Sequence, residues 1–151
     1  MIDRFERFSL VIFDISKNWH KIATEEMEKY GLKGAHSIYL AAMRRHPEGL
    51  TAPEIGELCG KDKADVSRMM SILEKKGFVK KEGIHQKLYR GTYKLTEEGC
   101  AAADFVCRRS DQIVESASQG LTDEERESLY KMLELIAGNL REISENKPDE
   151  N

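Results

Sequence analysis

Long apolar stripes with helical spacing lie at both ends of the chain. In the first thirty residues, apolar side chains recur at steps of three or four, at Phe5, Phe8, Ile12, Ile15, Trp19 and Ile22. Near the other end, the same spacing joins Leu129, Leu133, Ile136, Leu140 and Ile143. A stripe of this period predicts an amphipathic helix that buries one side against a partner. We therefore expect long helices at both ends.

The first of these helices carries more apolar surface than one partner in the same chain can cover. Leu10, Val11 and Phe13 widen its stripe, while a chain of 151 residues predicts one domain with one core. Pairing of two copies across a twofold axis would cover the remaining surface. The sequence thus predicts a homodimer, with an interface formed by Phe5, Phe8, Ile12, Leu129, Leu133, Ile136 and Leu140.

Cap signals between the two ends mark shorter helices. A mostly apolar segment from about His36 to Arg45 predicts one helix, and the Thr51-Ala-Pro-Glu54 capping box opens another. After a break at Gly60, Asp62 is suited to cap a helix that ends before Gly77. Two short helices joined by a glycine-containing turn are typical of the helix-turn-helix.

A change of period follows Gly77. Apolar and polar residues alternate up to Leu95, which predicts a β-hairpin, and Thr96 then opens a further helix. Residues 61–94 contain ten basic and four acidic residues, a net charge of +6, in a chain whose net charge is −3. A basic segment in an acidic frame is typical of a surface that approaches nucleic acid, although a solvated lysine-rich face would have the same composition.

The predicted fold is mainly α with a small β-hairpin wing: a winged helix-turn-helix with N- and C-terminal dimerisation helices. We expect one domain over residues 1–151. Residues 1–30 and 121–145 are the predicted dimerisation helices, 34–96 the winged helix-turn-helix, and 97–119 the connecting helix.

The chain resembles the multiple antibiotic resistance regulator (MarR) family. The resemblance lies in Val66-Ser-Arg-Met-Met-Ser-Ile-Leu-Glu-Lys-Lys-Gly-Phe-Val79 and in Leu95-Thr-Glu-Glu-Gly99, and the element order agrees over roughly residues 5–143. It implies a transcriptional regulator, usually a repressor, that binds DNA and responds to a small, often aromatic, effector. Members commonly carry Asp-x-Arg near the wing tip, whereas the stretch here, His85-Gln-Lys-Leu-Tyr-Arg90, has no aspartate.

The second helix of the helix-turn-helix would enter the major groove of double-stranded DNA. Its face opposite the apolar residues, together with the wing, gives the predicted DNA-binding set: Lys63, Ala64, Ser67, Arg68, Ser71, Lys75, Lys87 and Arg90. Lys80 and Lys81 would add phosphate or minor-groove contacts. Arg68 is the candidate for bidentate guanine recognition. The alternative is that Arg68 forms a salt bridge with Asp65 on the same helix.

An effector pocket is predicted only through the resemblance. Phe13, Trp19, His36 and Tyr39 could line it, although each could equally be an ordinary core residue. Cys59, Cys100 and Cys107 form no CxxC pair and are expected to be small buried residues rather than a disulfide framework.

The remaining expectations concern function classes. No cofactor and no metal site are predicted, since the histidines show no ligand spacing with cysteines or acids. No phosphate loop, HExxH or nucleophile elbow occurs, so an enzyme is not expected. The alternative function is a winged-helix protein-interaction module without DNA binding. The absence of a signal peptide and of a long apolar span predicts a cytoplasmic protein without a membrane partner.

Overall fold

The computed structural model describes residues 3–83 and 91–146. The elements follow in the order α1 (Arg4–Glu28), α2 (His36–Arg44), β1 (Leu50–Thr51), α3 (Ala52–Cys59), α4 (Lys63–Lys75), β2 (Val79–Glu82), β3 (Thr92–Leu95), α5 (Glu97–Ala117) and α6 (Asp123–Glu145). The predicted fold class, mainly helical with a small wing, is confirmed. The chain divides into two units, one ending at Ser110 and the other beginning at Asp111. None of the helices in the described ranges is long and apolar enough to cross a bilayer.

The predicted caps set the helix boundaries. At the start of α3, the Thr51 amide donates to Glu54 Oε2 at 2.7 Å, and the Glu54 amide donates to Thr51 Oγ1 at 3.4 Å. The same reciprocal pair, Thr122 and Glu125, opens α6. Gly60 ends α3 in the left-handed conformation, with φ of 63°, which only glycine adopts without strain. These contacts satisfy helix-end groups that would otherwise have no partner.

The sheet has one more strand than predicted. Its order is β1-β3-β2, with both pairs antiparallel; Val79 lies opposite Leu95, and Leu50 lies opposite Tyr93. β1 has only two residues, and Thr51 also serves as the N-cap of α3. A two-residue strand is too short to show an alternating pattern, so β1 could not be predicted from the spacing of apolar residues.

The core of the first unit joins the helix-turn-helix to the C-terminal end of α1. Its largest fully buried side chains include Met27, Tyr39, Leu40, Ile55 and Met70. Tyr30 extends this core, because its ring meets Phe78 and Phe105 edge-on at centroid distances of 5.9 and 6.1 Å. The end of α1 is therefore anchored in the core, whereas its first five turns are exposed.

The base of the wing is fastened where the two motifs of the resemblance meet. Thr96 Oγ1 donates to the Gly77 carbonyl at 2.5 Å and accepts from the Gly99 amide at 3.0 Å, and the Thr96 amide donates to the Phe78 carbonyl at 3.0 Å. A Cβ placed on Gly99 would lie 1.9 Å from the Phe78 carbonyl oxygen. Only glycine fits at this position.

In the second unit, α6 has no fully buried residue, and all of α6 lies within the described part of the chain. Arg126 Nη1 donates to both carboxylate oxygens of Glu115 at 2.8 Å, which ties α6 to the last turns of α5. Leu129 and Ile136 are half-buried, while Leu133 and Leu140 are exposed.

The cysteines differ in burial. Cys59 is buried at the end of α3, as expected. The expectation was wrong for Cys100, which is exposed in the first turns of α5, and Cys107 is half-buried. All three are free thiols.

Candidate nucleic-acid interface

The two sides of α4 have opposite characters. Val66, Met70 and Leu73 are buried in the core and Met69 is half-buried. The opposite side exposes every predicted DNA-binding residue of this helix: Lys63, Ala64, Ser67, Arg68, Ser71 and Lys75. The side chains share one exposed surface because the apolar positions, spaced three or four apart, fix the rotation of the helix against the core.

Side-chain contacts stabilise the first turn of α4. The Asp62 side chain accepts from the Asp65 amide at 2.8 Å, the N-cap contact predicted from the sequence. Arg68 Nη2 lies 3.5 Å from Asp65 Oδ1, while the Arg68 side chain remains 68% exposed. Arg68 therefore makes the intrahelical ion pair that sequence reasoning gave as its alternative role, and its guanidinium still reaches solvent.

A long-range contact to this turn was not anticipated. The Tyr39 hydroxyl donates to Asp65 Oδ2 across 26 residues of sequence. This hydrogen bond is the main reason that the pKa of Asp65 lies below its ordinary value, and the nearby cations Lys61 and Arg68 lower it further. No sequence signal pairs these two residues.

The wing carries its positive charge on both faces. Lys80 and Lys94, opposite each other in the sheet, lie 3.2 and 3.0 Å from carboxylate oxygens of Glu82. These two cations, Lys94 foremost, lower the pKa of Glu82. On the other face, Lys81 lies 5.4 Å from the centre of the Tyr93 ring. Lys87 and Arg90, predicted to contact DNA from the wing tip, lie outside the described residues.

The four candidate effector residues occupy two environments. His36 and Tyr39 are fully buried in the core, whereas Phe13 is 77% exposed and Trp19 is 43% exposed on α1. A cleft of about 350 Å³ in the first unit is lined by other residues, Met43, Arg44, Pro47, Leu95, Cys100 and Asp104. Across it, Arg44 Nε donates to Asp104 Oδ1 at 2.6 Å. The cleft is therefore separate from the predicted pocket residues.

His36 is a buried group whose ionisation should affect stability. Its Nδ1 accepts from the Lys33 amide at 3.0 Å, and its Nε2 is buried without a partner among the described residues. Burial is the main reason that the pKa of His36 lies below its ordinary value. The hydrogen bond to the Lys33 backbone and the charge of Asp65 oppose this lowering, and the positive charge of Lys33 adds to it. The folded protein therefore holds this ring neutral over a pH range in which the unfolded chain protonates it.

We expect the free energy of unfolding to fall as pH is lowered from about 7.5 to 5.5, because the unfolded state then binds more protons than the folded state. His36→Asn keeps an acceptor for the Lys33 amide and should flatten this dependence. His20→Asn, at an exposed position on α1, should leave it unchanged. Urea unfolding at several pH values measures the slope, and an unaltered slope in His36→Asn would contradict the assignment.

No group of three or more His, Cys, Asp or Glu side chains in the described ranges is arranged to hold a metal ion.

Comparison with known proteins finds similar sequences and structures. A model of the MarR family matches residues 30–84. The chain is 24% identical to the HTH-type transcriptional regulator YybA of Bacillus subtilis over 126 residues, 83% of each protein. The structure of S. aureus MepR in complex with DNA has a TM-score of 0.78 and 21% identity, over 88% of this chain and 97% of that one. A regulator from Listeria monocytogenes described as MarR-family, crystallised with a 26mer DNA, has a TM-score of 0.80 and 19% identity over the full length of both chains.

Proposed function

Because the resemblance to MarR-family regulators is confirmed in the winged helix-turn-helix, we propose that this chain is a transcriptional regulator that binds double-stranded DNA as a homodimer. The observation that carries the proposal is the exposed side of α4, where Lys63, Ser67, Arg68, Ser71 and Lys75 share one surface. A helix with one buried side and one polar, basic side can enter the major groove while the core holds its orientation.

Within this surface, each side chain has a proposed role. Arg68, exposed on α4, would make bidentate contacts to a guanine, and Ser67 and Ser71 would donate to phosphates or base edges. The small side chain of Ala64 would allow α4 to approach the DNA closely. Lys63 and Lys75 would contact the phosphate backbone of the DNA. Lys87 and Arg90 remain proposed wing contacts.

The proposed dimer rests on the exposure of the end helices. Phe5 is 74% exposed, and Phe8 and Ile12 are also exposed on α1. On α6, Leu133 and Leu140 are exposed, and Leu129 and Ile136 are half-buried. A soluble chain seldom leaves such long apolar surfaces open to water. A second copy would cover them and would set two α4 helices about 34 Å apart, one turn of DNA.

Selection from random duplexes of about 30 base pairs, three helical turns, tests the proposed function. We expect enrichment of a pseudopalindrome with half-sites about one turn apart, and an affinity that falls steeply with salt. If no sequence is enriched and the weak binding that remains is equal on all duplexes, the chain is better explained as a protein-interaction module.

Arg68→Ala should abolish discrimination at one base pair in each half-site. A lost bidentate contact costs about 1–3 kcal/mol per half-site on the selected duplex, with little change on random DNA. Lys75→Ala, on the same exposed side, should instead weaken binding to all sequences alike and reduce the salt slope by about 1 for each protomer bound. Fluorescence anisotropy at several salt concentrations measures both. Equal losses on selected and random duplexes for Arg68→Ala would remove its base-reading role.

The finer form of the proposal is a repressor that releases DNA when a small aromatic effector binds. The family resemblance supports it, and Phe13, Trp19, His36 and Tyr39 are the proposed pocket residues. Trp19 is the one tryptophan of the chain and is partly exposed. Its fluorescence therefore provides a direct titration for aromatic ligands such as salicylate. A change in fluorescence without any change in DNA affinity would count against regulation by that ligand.

A further inference from the structure

Asp65 connects the buried core to the exposed side of α4. Its amide is fixed by the Asp62 side chain at 2.8 Å, and its Oδ2 accepts from the Tyr39 hydroxyl. Tyr39 belongs to α2 and its side chain is fully buried. The backbone of Asp65 is therefore held by the N-cap of α4, and its carboxylate is held by a phenol that cannot move away without disturbing the core.

The other oxygen of the same carboxylate faces the exposed guanidinium. Asp65 Oδ1 lies 3.5 Å from Arg68 Nη2, one helical turn further along. The Asp65 side chain is only 23% exposed, while that of Arg68 is 68% exposed. One carboxylate thus joins a buried neutral donor to a cation in solvent, in the order Tyr39, Asp65, Arg68.

The protonation states of Tyr39 and Asp65 favour this series of contacts. Burial, followed by the bond to Asp65, raises the pKa of the Tyr39 phenol above its usual range, so the phenol remains a donor at neutral pH. The Tyr39 bond also lowers the pKa of Asp65, so the carboxylate remains charged. A charged acceptor with a fixed neutral donor makes a strong and directional hydrogen bond.

We propose that Tyr39 is a positioning residue for DNA recognition: its hydroxyl fixes the Asp65 carboxylate, which orients Arg68 towards the base it reads. The inference rests on the proposed function, because it assumes that Arg68 contacts a base. A long arginine side chain loses much conformational freedom when it is ordered on binding, and a partner that orders it beforehand lowers that cost. Without the Tyr39 hydroxyl, the carboxylate turns freely and this orientation is lost.

The test is a double-mutant cycle between Tyr39→Phe and Arg68→Ala, read as affinity for the selected duplex. Tyr39→Phe keeps the ring in the core and removes one hydroxyl. We expect it to weaken specific binding by about tenfold, the usual effect of one hydrogen bond to a charged group, and to leave binding to random DNA unchanged. In the Arg68→Ala background, the same change should have no further effect.

Two further variants keep the test decisive. Tyr30→Phe is the matched control, since that ring packs against Phe78 and Phe105, and it should not alter specificity. Asp65→Asn keeps an acceptor for Tyr39 and removes the charge that attracts Arg68. It should reproduce the loss in specificity if Tyr39→Phe proves too unstable to measure.

The outcomes separate the inference from the proposed function. If the wild type selects a sequence and Arg68→Ala loses it, but Tyr39→Phe and Asp65→Asn retain it, the positioning role is overturned while DNA recognition stands. A tenfold loss of affinity from Tyr39→Phe that persists in the Arg68→Ala background would show that Tyr39 does not act through Arg68 and has only a structural role. If the wild type selects no sequence, the proposed function fails first.

Discussion

Gly99→Ala is expected to destabilise the winged helix-turn-helix by about 3 kcal/mol or more. The added Cβ would lie 1.9 Å from the carbonyl oxygen of Phe78 and 2.9 Å from its carbonyl carbon. Both atoms belong to backbone, so no flexible side chain can turn aside. The start of α5 must therefore separate from Phe78. This movement disrupts two hydrogen bonds at the base of the wing, from the Thr96 hydroxyl to the Gly77 carbonyl and from the Thr96 amide to the Phe78 carbonyl.

Gly138→Ala is the matched control, because a Cβ there meets no atom within 4 Å. Gly138 lies inside α6, on the side of the helix opposite the apolar stripe. Alanine is there expected to stabilise the helix by about 0.5–1 kcal/mol, the ordinary gain from replacing a helical glycine. Urea unfolding followed by circular dichroism measures both variants. A Gly99→Ala protein as stable as the wild type would show that α5 can move away from Phe78 without loss.

The parts of the fold that were predictable from the sequence are those fixed by local chemistry. The capping box at Thr51 and the cap at Asp62 marked the starts of two helices because each side chain bonds an amide within three residues. Gly77, with φ of 79°, marked the end of α4 for an equally local reason. The exposed side of α4 followed from the spacing of its apolar residues alone.

What could not be predicted depends on residues distant in sequence. The bond between Tyr39 and Asp65 spans 26 positions, and the pairing of Leu50 with Tyr93 spans more. The burial of Cys100 was misjudged because its spacing of seven from Cys107 places both on one side of α5 but does not say how far the core extends along that helix. Propensity and spacing describe one element at a time, whereas these features arise when elements meet.

The charge distribution of the wing also depends on contacts that could not be predicted from the sequence. The count of basic residues in 61–94 predicted a positive surface, but it treated each lysine as free. In the sheet, Lys80 and Lys94 share Glu82, so part of their charge is neutralised by a carboxylate on the same ribbon. Register decides this sharing, because Lys80 lies directly opposite Lys94. Exposed ion pairs of this kind are weak, and phosphates can replace the carboxylate.

Ile12→Glu on α1 and Leu133→Glu on α6 are each expected to convert the proposed dimer into a monomer. Both side chains are 39% exposed in the single chain, so a glutamate there is tolerated by the monomer and is penalised only when a second copy buries it. Sedimentation at micromolar concentration should give the mass of one chain for these variants and of two for the wild type.

The loss of the dimer should also remove most DNA affinity, by about 10²–10⁴-fold on the selected duplex, because the second half-site is then no longer bound by a linked partner. Lys21→Glu on α1 and Lys131→Glu on α6 are the controls. Each changes the net charge by more than the test variants do, yet lies among the polar residues of its helix, and each should remain dimeric. If the controls lose as much affinity as Ile12→Glu and Leu133→Glu, added negative charge explains the loss. If the test variants remain dimeric, the apolar sides of α1 and α6 do not hold the two copies together.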